Sequence, residues 1–258
     1  MSESLNLDIQ EAEGFDLEVS RGNKEPDIYG FSKFGFNIDL DTADGEHTLW
    51  SYKAASWVAM TAADTLDIAS TSGNDIAAGT GARSVTITGL DASGDHQEET
   101  VIQSGTWRTL NTWTAVNRVV VATAGSTGYN EGDIRIFGTG SGSTQGFVPT
   151  NKGVTQQMIF TPRSGYTAHL ERIYVRSAKT SGGSSPKVTI NLYQVTSAGV
   201  RINHLSEVID VAQDPVLDQV FKNTIAIANG GGYWYITAET DSNNTFVRCR
   251  VEQKETKN

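Results

Sequence analysis

Few residues of this sequence are of a type and spacing that do chemistry. Its four histidines are His47, His96, His169 and His204. None stands in the His-Glu-x-x-His spacing of zinc enzymes or beside a Gly-x-Ser-x-Gly turn. A Ser-His-Asp site built from distant loops would leave no local signature, and no carboxylate pair is spaced for a polysaccharide hydrolase. We therefore predict no catalytic residue and no enzyme activity.

Two short motifs resemble ion-binding loops. Asp39, Asp41 and Asp44 precede a glycine and could offer oxygen ligands to Ca²⁺, but the spacing is one residue too long, and Trp50 stands where an EF-hand has its last Glu. The segment Gly79-Thr80-Gly81-Ala82-Arg83 lacks the Lys of a phosphate-binding loop. We interpret both segments as turns and predict no metal and no cofactor.

An aromatic run follows a glycine-rich turn at residues 230–232. Strand alternation places Tyr233 and Tyr235 on one face and Trp234 and Ile236 on the other. One pair is then predicted in the core and the other at the surface or a subunit interface, where the alternative role is stacking on sugar. The remaining tryptophans are interpreted as core or interface residues: Trp50, Trp57, Trp107 and Trp113.

The elements that must position these residues are predicted to be strands. Val85 and Ile87 alternate with hydroxyl residues, and a turn at residues 91–95 leads into residues 99–102, which predicts a hairpin. Residues 118–122 are predicted to be a more fully buried strand. The other predicted strands cover residues 134–137, 158–160, 170–176, 187–195, 208–211, 224–228, 233–239 and 246–251. No segment has a long helical period, so we predict an all-β fold.

The domain organisation is predicted from composition. The tract 138–146 is rich in Gly and Ser and separates two strand-rich halves. We predict an acidic arm at residues 1–30 and two antiparallel, jelly-roll-like β-sandwiches at residues 31–144 and 145–258. In the last predicted strand Val247, Cys249 and Val251 share one face, which predicts an inert, buried thiol at Cys249.

The excess negative charge lies at the start of the chain. Residues 1–48 contain 12 Asp or Glu and 3 Lys or Arg, whereas the whole chain has a net charge of -10. An acidic chain disfavours nucleic acid as a partner, and no apolar stretch is long enough to span a membrane. The amino terminus lacks the basic start of a secretory signal, so we expect folding in a cytoplasm.

The acidic arm has two interpretations. It could dock on a basic surface, because alternation turns one set of residues outward in the second half: Arg172, Tyr174, Arg176, Arg248 and Arg250. That surface would belong to a neighbouring subunit or to a shell. The alternative is a solvated tail with no partner.

Several tracts resemble a family of virion structural proteins of tailed bacteriophages, many from marine and cyanobacterial hosts. They are LEVSRG (17–22), SKFGFNIDLD (32–41), LW (49–50), STSGNDIAAGTGARSVTITGLD (70–91), NRVVVATAGS (117–126), NEGDI (130–134) and FTPRSGYTA (160–168). The resemblance runs from about residue 17 to beyond residue 170. Such families commonly have Gly-Arg-Asn where this chain has Gly35-Phe36-Asn37.

The resemblance implies a non-enzymatic part of a virion, assembled in the host bacterial cytoplasm. It favours a capsid-bound decoration or spike protein, whose partners are the major capsid protein or other virion proteins. We expect a homo-oligomer, with a trimer favoured, because aromatic residues exceed what a small sandwich buries. The alternative is a tail or fibre protein that recognises a host surface glycan through residues 233–236.

Overall fold

A computed structural model describes residues 28–102, 107–182, 184–228 and 232–258. Within these ranges the regular structure is β-strand apart from one 3₁₀ turn at Thr42–Asp44, and all the strand pairs are antiparallel. The predicted all-β class with antiparallel sheets is confirmed. No helix in the described ranges has the length and apolar character needed to cross a membrane.

The described residues form sixteen strands in four sheets. In chain order the strands are β1 (Ile28–Leu40), β2 (His47–Thr48), β3 (Leu66–Ser70), β4 (Ala82–Leu90), β5 (His96–Ile102), β6 (Trp107–Arg108), β7 (Ala115–Ala124), β8 (Ile134–Gly138), β9 (Thr144–Val148), β10 (Ile159–Phe160), β11 (Tyr166–Lys179), β12 (Lys187–Val195), β13 (Arg201–Asp210), β14 (Val216–Ala228), β15 (Tyr233–Thr240) and β16 (Thr245–Lys257). Sheet A has the order β1-β16-β11-β14, and sheet B has the order β10-β15-β12-β13 with β2 beside β15. Sheet C is β6-β3-β8-β9, and sheet D is β5-β4-β7.

Two hydrophobic clusters hold the sheets together. One contains inward residues of sheets A and B, such as Val175, Val251, Ile190 and Trp234. The other contains residues of sheets C and D, such as Ile136, Val85, Ile87 and Val119, together with Trp113 from the segment before β7. Most strands bury the apolar face that their period-two pattern creates. β1 is different, because it turns Phe34, Phe36 and Ile38 away from the core and buries Gly35 and Asn37.

Strand pairing distributes the chain differently from the predicted division at residues 144 and 145. β1 pairs with β16, from Ile28 opposite Thr256 to Leu40 opposite Thr245, so it joins the carboxy-terminal strands of sheet A. The tract 138–146 comprises the end of β8, the turn at residues 139–143, where Gly142 has a φ of 67°, and the start of β9. Gly and Ser favour such a turn as much as a linker. The jelly-roll form and the number of domains stay predictions.

Two details of the predicted strands need correction. In β7, Val119 is fully buried but Arg118 and Ala122 are exposed, because this strand lies at an edge of sheet D and covers only one face. β13 and β14 each extend well beyond the predicted residues 208–211 and 224–228. The additional residues of β13 are mainly polar and exposed, and those of β14 begin with Val216-Leu217-Asp218-Gln219-Val220-Phe221, which does not alternate strictly, so both carry a weak pattern. The predicted hairpin of β4 and β5 is confirmed.

The middle of β1 lies very close to neighbouring backbone. A Cβ at Gly35 would lie 2.9 Å from the carbonyl oxygen of Leu49 and 2.9 Å from the backbone nitrogen of Met158. Both distances are shorter than van der Waals contact, so a side chain there would push these segments apart. Gly35 thus lets β1 pack closely against the backbone next to β2 and β10, at Leu49 and Met158.

Candidate functional site

The outer side of sheet B displays the aromatic residues that the sequence singles out. Trp234 and Ile236 are fully buried in the cluster shared by sheets A and B. Tyr233 and Tyr235 point the other way and are half-buried. The predicted split of β15 into a core pair and a surface pair is confirmed. Its cause is the alternation of a strand that covers the core with one face only.

Two further aromatic residues join this surface from other segments. Trp57, in the loop after β2, makes an edge contact with Tyr233 at 5.1 Å between ring centroids and lies 6.3 Å from Tyr235. Tyr193 of β12 lies 5.4 Å from Tyr235. We call Trp57, Tyr193, Tyr233 and Tyr235 the aromatic face. Trp57 is held in place because its Nε1 donates a 3.1 Å hydrogen bond to Gln145 Oε1 of β9.

A carboxylate and a guanidinium border the aromatic face. Glu46 accepts hydrogen bonds from Thr237 Oγ1 at 2.7 Å, from Asn191 Nδ2 at 3.1 Å and from the Tyr193 hydroxyl. The Arg201 guanidinium lies 4.4 Å over the Tyr193 ring and hydrogen-bonds the Tyr235 hydroxyl. Both charged residues are exposed, while their aromatic and hydroxyl partners form the wall behind them.

These contacts shift the pKa values of Glu46 and Tyr193. Burial alone would raise the pKa of Glu46, but the hydrogen bonds from Tyr193 and Thr237 outweigh it and lower the pKa of this carboxyl. Burial, together with the bond to Glu46, raises the pKa of Tyr193 to about 12. Glu46 is therefore an anionic acceptor and Tyr193 a neutral donor near neutral pH. Stacking rings beside such fixed polar groups can bind a polyhydroxylated ligand such as a sugar.

The histidines lie in separate places. His47 is buried in β2, with its Nδ1 2.9 Å from the Thr48 carbonyl oxygen. His169 Nε2 lies 2.9 Å from Thr256 Oγ1 in sheet A, and His204 Nε2 lies 2.8 Å from Gln194 Oε1 in sheet B. His96 begins β5 and is exposed. Among the described residues, no three His, Cys, Asp or Glu side chains are grouped as a metal site.

The side chain of Lys53 contacts two of the three carboxylates in the Asp39, Asp41 and Asp44 segment. Lys53 Nζ lies 2.8 Å from a carboxylate oxygen of Asp39 and 2.8 Å from one of Asp41. The hydrogen bond from Lys53 lowers the pKa of the Asp41 carboxyl. Asp44 instead accepts a 2.9 Å hydrogen bond from the Asp41 backbone. Asp41 and Asp44 lie in the turn that the sequence indicates, whereas Asp39 belongs to β1, and Lys53 supplies the positive charge between Asp39 and Asp41.

Residues 79–81 form the turn that leads into β4, Ala82 and Arg83 begin that strand, and the residue that fixes the turn was missed by sequence reasoning. Asp75 is fully buried and accepts hydrogen bonds from Ser70 Oγ, from Ala82 N and, at 2.9 and 3.0 Å, from the backbone of Glu131 and Gly132. Its neighbours in sequence are loop residues, so no local pattern marks Asp75 as buried.

The last predicted strand has the expected faces. Val247, Cys249 and Val251 are fully buried, and burial raises the pKa of the Cys249 thiol. The residues predicted to point outward lie on the opposite side of sheet A, where Arg176 is opposite Arg248 and Tyr174 is opposite Arg250. Arg172 and Arg250 contact Asp218 and Glu252, so part of this charge is balanced: the nitrogen–oxygen distances are 2.6 and 3.2 Å.

Comparisons with known proteins return distant structural likenesses. No protein-family model matches the sequence, and no curated protein matches it. Among solved structures, the VP2 subviral particle of infectious bursal disease virus is similar over 90% of this chain and 72% of that chain, with 7% identity and a TM-score of 0.21. For the Gx strain of the same virus the shares are 89% and 68%, with 9% identity and a TM-score of 0.20.

Proposed function

We propose that this protein is a non-enzymatic structural component of a tailed-bacteriophage virion, bound to the capsid as a decoration or spike protein. The observation that carries the proposal is the resemblance of residues 17 to beyond 170 to such proteins. The resembling tracts with described residues coincide largely with framework elements, including β1, β4, β7 and the start of β11. A family likeness that covers framework strands suits a protein whose role is to build a surface.

The architecture supports this role by its physical properties. Long antiparallel strands around two apolar clusters make a rigid module, and its single Cys249 needs no oxidation to fold. The net charge of -10 favours solubility and disfavours a phosphate-backbone partner. The proposed partners are the major capsid protein or other virion proteins, with three copies of this chain at a symmetric position.

Localisation on the particle tests the proposal. Tail-less, DNA-filled heads are purified and probed for this protein, and intact particles are imaged by electron cryomicroscopy. We expect the protein to sediment with the heads and its density to lie on the outer shell. Density confined to the tail would overturn the capsid assignment, and absence from purified particles would overturn the virion assignment.

A second function is favoured by the aromatic face. A tail or fibre protein that recognises a host surface glycan would use the half-buried rings of Trp57, Tyr233 and Tyr235 for stacking and Glu46 for hydrogen bonds to hydroxyls. The outward direction of two adjacent tyrosines on β15 is what favours this function. It requires the rings to remain accessible in the particle.

Substitution of the aromatic face separates the two functions. If the protein recognises a glycan, Tyr233→Ala and Trp57→Ala should each weaken binding to host-cell polysaccharide about 5- to 30-fold, since each lost stacking ring costs roughly 1–2 kcal/mol. Tyr129→Ala is the matched control, because Tyr129 is exposed and lies outside the aromatic face. Polysaccharide binding that is equal in all three variants, or absent from the unsubstituted protein, would exclude the glycan function.

A further inference from the structure

The outer side of sheet A and the neighbouring edge of sheet C enclose a groove of about 1070 Å³. One wall comes from β1 and β16, with Phe34, Phe36 and Phe246. The other comes from β9 and the loop after β2, where Phe147 and Tyr52 lie 5.2 Å apart. Phe34 is 39% exposed although it is an apolar ring. An open aromatic groove of this size is typical of a binding site for a chain segment.

The rim of the groove is mainly cationic. Arg135, Lys152 and Arg248 line it together with Lys53, and Asp133 is the one carboxylate among the described lining residues. Lys53 contacts two aspartates, but no described carboxylate lies within ion-pair distance of Arg135, Lys152 or Arg248. The groove therefore has uncompensated positive charge around an apolar floor, which fits an acidic and apolar occupant.

Two buried polar atoms in the wall of the groove can still accept or donate hydrogen bonds to an occupant. Gln156 is 8% exposed and lines the groove, and its Oε1 has no hydrogen-bond partner among the described residues. The same holds for Ser51 Oγ. A buried polar atom without a partner is costly, and an occupant that carries peptide N–H groups can reduce the cost.

The amino-terminal part of this chain has the complementary chemistry. Residues 1–27 lie outside the described residues, and they contain eight acidic and two basic residues. Within them, Phe15-Asp16-Leu17-Glu18-Val19 alternates apolar and acidic residues. In an extended conformation Phe15, Leu17 and Val19 would share one side and the two carboxylates the other. This pattern matches an aromatic floor with a cationic rim.

We propose that residues 15–19 of the chain bind in this groove of the same molecule. Phe36 lies eight residues beyond Ile28 along β1, a distance of roughly 26 Å at about 3.3 Å per residue. Val19 lies nine residues before Ile28, and nine extended residues span up to about 30 Å. The chain can therefore fold back far enough to place its apolar residues in the groove. Tethering supplies an effective concentration in the millimolar range, so weak contacts suffice.

Phe36 contributes an aromatic ring to this groove. It packs 6.3 Å from Phe246 in the wall. Phe36 therefore gives this chain an apolar surface that can hold Phe15 or Leu17. The inference concerns only the chain's own segment and does not depend on the proposed function.

A peptide-binding experiment tests the inference. A fluorescein-labelled peptide of residues 1–27 is titrated, with anisotropy as the readout, into full-length protein and into protein that lacks residues 1–27. We expect saturable binding to the truncated protein and at least tenfold weaker binding to the full-length protein, whose groove is occupied. Raising the salt from 0.05 to 0.5 M should weaken binding to the truncated protein, since the rim charges are screened.

Three variants of the truncated protein locate the binding site. Arg248→Glu and Lys152→Glu should each weaken peptide binding at least fivefold, while Lys187→Glu, an exposed residue outside the groove, should leave it unchanged. A peptide with Phe15 and Leu17 changed to Ser should bind at least tenfold more weakly. No binding to the truncated protein, equal loss in all three charge variants, or equal binding to full-length protein would each overturn the inference.

Discussion

At the scale of single residues, Asp75 holds more of the structure than its loop position indicates. Its two carboxylate oxygens receive four hydrogen bonds from three separate segments: Ser70, Ala82, and the pair Glu131 and Gly132. Removing the carboxylate leaves buried backbone donors without an acceptor, which costs free energy for each of them. The loops around β4 and β8 therefore depend on one side chain.

Asp75→Ala should lower the free energy of unfolding by about 3 kcal/mol or more, because charge-assisted bonds of this kind contribute about 1.5–3 kcal/mol each. Asp95→Ala is the matched control, since Asp95 is exposed in the turn between β4 and β5. It should change stability by about 0.5 kcal/mol or less. Denaturant unfolding monitored by tryptophan fluorescence measures both. Equal effects would contradict the role of Asp75.

Lys33 makes stability depend on pH. Its side chain reaches from β1 to the Asn117 carbonyl oxygen of β7, with its amine 5.8 Å from the centre of the Phe160 ring. Burial and then the nearby Arg118 lower the pKa of Lys33 to about 7. Below pH 7 the folded protein must carry this charge, and between pH 7 and about 10 the unfolded chain binds the additional proton. The free energy of unfolding therefore rises with pH through that window, because the cost of burying the Lys33 charge disappears.

Lys33→Met should thus stabilise the protein relative to the unsubstituted chain most strongly at pH 7 and below. The advantage should shrink as the pH rises from 7 toward 10. Thermal unfolding at pH 6, 8 and 9.5 measures the difference, with Lys187→Met as an exposed control. A difference that is constant across these pH values would show that Lys33 has an ordinary pKa.

Cys249 tests the predicted core face directly. The thiol is fully buried among residues of sheets A and B, and its raised pKa keeps it protonated. We expect no reaction with a thiol reagent in native protein over the time that complete labelling takes in denaturant. Mass spectrometry gives the labelled fraction. Rapid labelling of the native protein would show that the Cys249 thiol is exposed to solvent and would contradict its place in the core.

At the scale of elements, β1 decides how much of the amino terminus can be removed. Its backbone pairs with β16 along nearly the full length of both strands, and β16 in turn pairs with β11. Deleting residues 1–27 should therefore leave the melting temperature within a few degrees, whereas deleting residues 1–40 should expose the core side of β16 and prevent cooperative unfolding. Circular dichroism melts of the two truncations measure this. Similar melts would show that β1 adds little to sheet A.

The sequence predicts strands well where one face is apolar and the other polar. Val85 with Ile87, and Val247 with Val251, show this alternation, and their faces are correct. The pairing of β1 with β16 could not be predicted, because it joins residues more than 200 positions apart and no local pattern encodes that register. The aromatic face is similar: β15 supplies a visible signal, but Trp57 and Tyr193 reach it only through tertiary contacts.

At the scale of the whole molecule, the exposed surface predicts assembly. Leu110 and Ile102 are 92% and 67% exposed, in addition to the aromatic face and the groove. Apolar side chains that a single chain leaves in water favour burial between copies. Light scattering at micromolar concentration should give a mass three times that of the 27.8 kDa chain. A monomer mass would contradict the predicted trimer.

The pairing of Ile28 with Thr256 brings both ends of the described fold to one corner of sheet A. A linker of a few residues could join them, while new termini are opened in the β8–β9 turn beside Gly142. Such a circular permutant would keep every strand pair. For the same reason, in a protein that lacks residues 1–27, one peptide fused before residue 28 and another fused after residue 258 would leave the molecule side by side.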